Sequence, residues 1–264
     1  MKYDIEKIIQ IVRSTAKKEL LPLFANVERH YKSDGSVVTQ ADNAMQHSIK
    51  EQLKALYPNT LMLGEEMSVE EQMSVIQSDG ELWCLDPLDG TNNFTAGIPY
   101  FSVSLALLTD NKVTMGIVYD PIRDELFSAD EQQGVKLNGD PVLMRQSDLV
   151  LKKSIAIIDF KRLDNELAMR LINDAPYASQ RSFGSVALDW CWLTMNRSHV
   201  YLHGRSNIWD YAAGHYIFTK AGGYSSTLTG EDIFTRNLTK RSAVAAVDKT
   251  LFTEWSSWIN TPQR

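Results

Sequence analysis

Between residues 100 and 138 the chain places three β runs in succession, FSVSLALLT, KVTMGIVYD and ELFSAD, each followed by turn residues. This is the pattern of an antiparallel meander. Helical patterns lie on both sides of it, so the chain is committed to a mixed α and β class. Upstream, Ile5, Ile8, Ile9, Val12, Ala16, Leu20 and Leu23 recur at helical spacing, which predicts a helix through the first thirty residues. Pro22 predicts a kink or break near its end. A second helix is predicted from Ala41-Asp42 to Pro58 and a third over 68–78, with a turn at SDGS (33–36) between the first two.

Downstream of the meander, Gly134 to Asn138 and Gly139-Asp140 predict a further turn. The remaining chain alternates. Strands are predicted at 154–158, 199–203 and 242–247, and helices at 162–173, 185–195, 209–221 and 249–259. Gly222-Gly223 reads as the end of the helix that starts at Trp209. The expected organisation is two interlocked halves, residues 1–145 and 146–264, that work as one unit.

Two of the short apolar strands end in acids. Thr60 to Leu63 runs into Gly64-Glu65-Glu66, and Leu82 to Leu85 runs into Asp86-Pro87-Leu88-Asp89-Gly90-Thr91. Trp209-Asp210 opens a helix. Carboxylates at the carboxyl ends of strands face the crevice where α/β folds bind ligands. Gathered there unpaired, they would raise each other's pKa, and a hard divalent cation removes that cost. Pro87 fixes φ and Gly90 permits a tight turn, so Asp86, the Leu88 carbonyl and Asp89 can face one metal cluster. Taken singly, Asp-Pro and Asp-Gly are also ordinary turn dipeptides, and Glu-Glu an ordinary solvated pair.

Composition narrows the function classes. The 264 residues hold 33 acidic and 27 basic side chains, a net charge of −6, which argues against nucleic acid as a direct partner held by bulk charge. No stretch reaches the ~18 uninterrupted apolar residues of a membrane span, and the first residues lack the apolar core of a signal peptide. The expectation is a cytoplasmic protein without membrane partners. Cys84 and Cys191 are too few and too far apart for a disulfide framework and read as buried thiols.

Two longer segments are specific. WCLDPLDGTNNF (83–94) resembles the first signature of the inositol monophosphatase family, and WDYAAGHYIFTKAGG (209–223) resembles its second. GEE (64–66) and VVTQAD (37–42) match two further family segments in the same order, so the resemblance spans residues 1 to about 260. It implies an α+β fold, the layered αβαβα sandwich of inositol and sugar phosphatases, and Mg²⁺-dependent, Li⁺-sensitive phosphomonoester hydrolysis by a homodimer. Two to three ions are implied, with Mn²⁺ as a substitute. Glu65, Asp86 and the carbonyl of Leu88 match the ligands of the first ion. Asp86, Asp89 and Asp210 match those of the second, and Glu65 also those of a weaker third.

Thr91 and Asp42 match the pair that activates the attacking water, with Glu65 beside them; for Asp42 a helix-capping role is the alternative. Gly90 and Thr91 match the phosphate cradle, and Glu66 lies behind the ligands or in solvent. Gly184, Ser185, Val186 and His203 match positions near the alcohol portion of the substrate, and Leu88, Asp89 and Asp210 match further substrate-binding positions. At residue 203 the family often carries a Glu, so His203 puts inositol specificity in doubt. It either contacts ligand or bonds backbone at a strand end, and Arg205 either meets a second anionic group or is solvated. The implied substrate is a small phosphorylated polyol or sugar, inositol 1-phosphate first and a fructose-1,6-bisphosphatase-like or other sugar phosphatase activity next. The non-catalytic alternative is a regulatory protein- or RNA-associated factor on the same fold.

Overall fold

The computed structural model describes residues 2–32, 35, 37–144 and 148–261. The first half runs α1 (Ile5–Glu19), β1 (His30–Tyr31), β2 (Val37–Val38), α2 (Gln40–Leu56), β3 (Leu61–Gly64), α3 (Val69–Ile76), β4 (Leu82–Asp89) and α4 (Thr91–Ala96). It continues through β5 (Ser102–Thr109), β6 (Lys112–Asp120), β7 (Glu125–Asp130), β8 (Gly134–Leu137) and β9 (Asp140–Pro141). The second half runs β10 (Ile155–Asp159), α5 (Asn165–Asn173), β11 (Ser179–Arg181), α6 (Val186–Thr194) and β12 (Val200–Ser206). It closes with α7 (Ile208–Lys220), β13 (Tyr224–Ser226), β14 (Arg241–Ala246) and α8 (Lys249–Asn260).

Strands β3 to β9 form one sheet in sequence order, parallel between β3 and β4 and antiparallel thereafter. A second sheet takes the order β11-β10-β12-β14-β13. Helices α1 and α2 cover one face of the first sheet, where Ile8, Val12, Met45 and Ile49 pack with Trp83, Leu105 and Ile117. Helices α6 and α7 fill the space between the sheets, and α8 lies on the far side of the second. The layers therefore alternate α, β, α, β, α. Burial on both faces explains why β4 reads as a continuous apolar run interrupted only by its acids. The middle layer is tight. A Cβ on Gly116 of β6 would sit 2.8 Å from the Ala213 carbonyl of α7, and one on Gly214 2.8 Å from Ala187 of α6.

Two expectations are corrected. The first helix stops at Glu19, and Pro22 sits in a short 3₁₀ turn (Leu21–Leu23) with no helix resuming before residue 30, because its ring and missing N–H do not propagate the helix. Residues 134–137, expected as a turn, pair with β7 and bury Val135. The reversal falls at Asn138-Gly139, both at positive φ (51° and 89°). The edge strands β11 and β13, three residues each, were not expected. The SDGS turn lies outside the described residues except Gly35, and the boundary at 145/146 lies outside them too. Cys84 and Cys191 are free and buried, as expected.

Candidate metal centre

Strand β4 delivers the central acids through an irregularity. Its pairing with β5 steps from Asp86↔Ser104 to Asp89↔Ser102, three residues against two. The extra residue falls at Pro87-Leu88, and Pro87 has no N–H to give the ladder. The local chain turns back on itself: the Leu88 N–H donates to Asp86 Oδ1 (3.0 Å), and the Leu88 carbonyl accepts from Thr91 Oγ1 (3.1 Å). Gly90 then enters α4 at φ 100°, and a side chain there would press on the Gly184 carbonyl at 3.1 Å.

Glu65, Asp86 and Asp210 converge, each offering an oxygen within 4.8 Å of the others. Burial, followed by the other carboxylates, pushes Asp86 well above the usual carboxylate range. Burial also brings Glu65 up to about 7 against the pull of Lys32, and Asp210 up to about 7 with Asp89 adding to the rise. Three acids whose ionisation the fold opposes, with carboxylate oxygens held this close, are a donor set that suits a hard divalent cation.

Asp89 stands apart from that trio. Its Oδ2 accepts from Ser185 Oγ and the Ala187 N–H, both at 2.7 Å, so it holds the first turn of α6. Burial raises it to about 7, opposed by those bonds. Ser185 is fully buried and shares a 3.2 Å contact with Ser102 Oγ, placing its hydroxyl behind Asp89. Gly184, at φ 89°, is kept close by Asn93, whose Nδ2 bonds both the Tyr100 and Phe183 carbonyls (2.7 and 2.6 Å). Val186 begins α6.

Asp42 sits at the third position of α2, with Thr39 as the cap. Its Oδ2 accepts the Thr39 N–H (2.8 Å) and hydroxyl (2.6 Å). Its other oxygen, Oδ1, lies 3.1 Å from Thr91 Oγ1. Asp42 therefore spends one oxygen on the helix cap and aims the other at the D-G-T loop. Burial raises its pKa.

Lys32 and Gln46 had no signal in the sequence. Lys32, just past β1, ion-pairs with Glu66 (2.6 Å) and Glu65 (3.3 Å). Glu66 is therefore buried against a cation and not solvated, and the Gln46 side chain accepts its N–H (3.0 Å). His203 is buried and bonds a side chain, not backbone: Nε2 lies 3.2 Å from Asp159 Oδ2 at the end of β10. Arg205 is exposed.

Five alternating layers with carboxylates gathered between the first sheet and α7 define the protein as one of the αβαβα layered class, and solved structures share this fold. A model described as the inositol monophosphatase family matches residues 3–257, and the chain belongs to that family. It is 38% identical over 205 residues to a protein of Haemophilus influenzae named Nus factor SuhB, covering 75% of this chain and 74% of that one. It is 34% identical over 230 residues to inositol monophosphatase 1 of Solanum lycopersicum, covering 83% and 84%. The crystal structure of the extragenic suppressor protein suhB from Bartonella henselae superposes with a TM-score of 0.85 at 25% identity, covering 97% and 98%. Among the described residues no helix is long and apolar enough to cross a membrane.

Proposed function

We propose that the protein is a Mg²⁺-dependent phosphomonoesterase of small phosphorylated polyols or sugars, with inositol 1-phosphate the first substrate to try and sugar phosphates next. The observation that carries this reading is the convergence of Glu65, Asp86 and Asp210, three buried carboxylates within 4.8 Å. Glu65, Asp86 and the Leu88 carbonyl would hold one ion, and Asp86, Asp89 and Asp210 another. The bound cations supply charge neutralisation at the phosphoryl oxygens and at the departing alkoxide.

The chain's own groups supply the rest. Thr91 Oγ1, poised between Asp42 Oδ1 and the Leu88 carbonyl, positions the attacking water and takes its proton while giving its own to Asp42, whose raised pKa makes it a competent acceptor. The N–H groups of Gly90 and Thr91 bind a phosphoryl oxygen. Asp89, anchored through one oxygen by Ser185 and Ala187, keeps the other for the second ion.

Phosphate release from inositol 1-phosphate is expected with Mg²⁺, to stop with EDTA and to fall with Li⁺. Hydrolysis that continues in EDTA would sink the reading. The kinship with a protein named as a Nus factor supports a second role, association with a protein or RNA partner on the folded surface. An Asp210→Asn variant that still retains partners from lysate, or shifts RNA in a gel at physiological salt, supports that role; loss of every partner by wild type and variant alike refutes it.

A further inference from the structure

We propose that the end of the first sheet remote from the metal centre binds a linear aliphatic polyamine, with Asp130 as the buried anchor. Trp83, Leu107, Met115 and Asp130 are cross-strand partners in one row over β4, β5, β6 and β7. Residues directly opposite share a face, here the one covered by α1 and α2. Helix α1 begins only at Ile5, so Lys2 and Tyr3 close this end of the face in place of a helix. The Tyr3 ring stands edge-on to Trp83 (centroids 5.3 Å). A cavity of about 200 Å³ is left beside them, floored by Leu107 and Met115. It lies apart from the cleft: Glu81 on its wall precedes Asp86 by five residues, about 16 Å of extended chain.

Asp130 ends β7 and is only 5% exposed. Its Oδ1 accepts the N–H groups of Gln132 and Gln133 (2.8 and 2.5 Å), while Oδ2 is buried with no hydrogen-bond partner. A buried carboxylate oxygen normally has a donor, and Asp130 lines the cavity, so the missing donor belongs to what fills it. Charge says that this donor is a cation. Glu81 and Glu131 line the same cavity, against a single base, Lys2.

A metal ion does not fit this place. Among the described residues only Glu65, Asp86 and Asp210 bring three ligand oxygens within 4.8 Å of one another. The acids of the cavity stand at its two ends: Glu81 precedes β4 and Asp130 ends β7, three strand spacings or about 14 Å apart. A single ammonium cannot span that gap, and a chain of methylenes with an amine at each end can. At the Glu81 end, Lys2 Nζ and Tyr3 Oη both bond Oε2, and Oε1 is the acceptor the second amine would take. Between the ends, Thr109 Oγ1 accepts from Thr114 Oγ1 (3.2 Å) and keeps a lone pair for an inner N–H. The methylenes would cover the Leu107 and Met115 floor.

The test is calorimetric titration of the full chain with spermidine, at physiological salt and with excess Mg²⁺. Asp130→Asn keeps an oxygen for the two N–H groups but loses the charge, and should weaken spermidine about tenfold or more. Glu70→Gln removes an exposed charge outside the cavity and should bind as wild type does. Butylamine, with one ammonium, should bind wild type more weakly than spermidine. No binding by wild type overturns the site, as does equal binding by wild type and Asp130→Asn. Equal weakening in Asp130→Asn and Glu70→Gln assigns the effect to bulk charge and overturns it too, and butylamine binding as tightly as spermidine overturns the two-ended arrangement. Should Asp130→Asn fail to fold, the exposed Glu131→Gln decides: several-fold weaker binding supports the site, and unchanged binding overturns it.

Discussion

Replacing Asp86 by Asn should stabilise the metal-free protein while strongly weakening its response to Mg²⁺. Two ionised carboxylates 4.8 Å apart repel by about 3.5 kcal/mol at an effective dielectric of 20, and Asp86 has two such neighbours, Glu65 and Asp210. The metal-free chain escapes part of this by holding protons, which is why these groups are shifted upward. Asn keeps the Oδ1 that accepts the Leu88 N–H, and its amide can donate to a neighbouring carboxylate. A net gain of at least about 1 kcal/mol at pH 8 follows, a rise in Tm of roughly 2–4 °C in EDTA. Wild type should gain about 2.7 kcal/mol when Mg²⁺ reaches a hundred times its Kd, and the variant much less. Differential scanning fluorimetry in EDTA and in Mg²⁺ reads both effects. A lower Tm for the variant in EDTA, or an equal Mg²⁺ response, would refute the assignment of a carboxylate cluster built for a cation.

Metal-free stability should fall as pH rises from about 4 to about 7. Glu65, Asp89 and Asp210 are lifted to about 7, above their unfolded values, so the folded chain holds more protons across that window; urea titrations in EDTA should show the slope and Mg²⁺ should flatten it. Thr91→Ala removes the hydroxyl between Asp42 and Leu88, and phosphate release should drop by about 10²-fold or more with little change in Tm. Ser185→Ala strips a 2.7 Å bond from the buried Asp89 and should cost about 1–3 kcal/mol in chemical denaturation. Gly116→Ala, facing the Ala213 carbonyl at 2.8 Å, should cost about 1–3 kcal/mol by overpacking the middle layer.

The layered fold was legible where periodicity is long: the meander of β5 to β7, helices α2, α6, α7 and α8, and the acids at strand ends all stand within a residue or two of their expected places. The short edge strands β11 and β13 were not legible, because three residues carry no period and their place comes from their neighbours in the sheet. Gly134 suggested a turn because glycine is so often one, yet pairing with β7 overrides that preference. Within the site, Glu65, Asp86 and Asp210 announce themselves by motif. The contact between Asp42 and Thr91 joins residues 49 apart and exists only once α2 has packed on β4. Lys32 and the Asp159–His203 pair belong to no local pattern, and only tertiary structure brings them to the acids.

The added residue between Asp86 and Asp89 makes chain length at this point a chemical variable. Deleting residue 87 or 88 would restore an even ladder with β5 and remove the turn in which the Leu88 N–H reaches Asp86 and the Leu88 carbonyl reaches Thr91. An exchange of one side chain for another leaves that geometry in place. Insertions and deletions within this loop of four residues should therefore be far more damaging than point changes beside it, and a designer wishing to re-purpose the cleft should vary its lining while preserving the count.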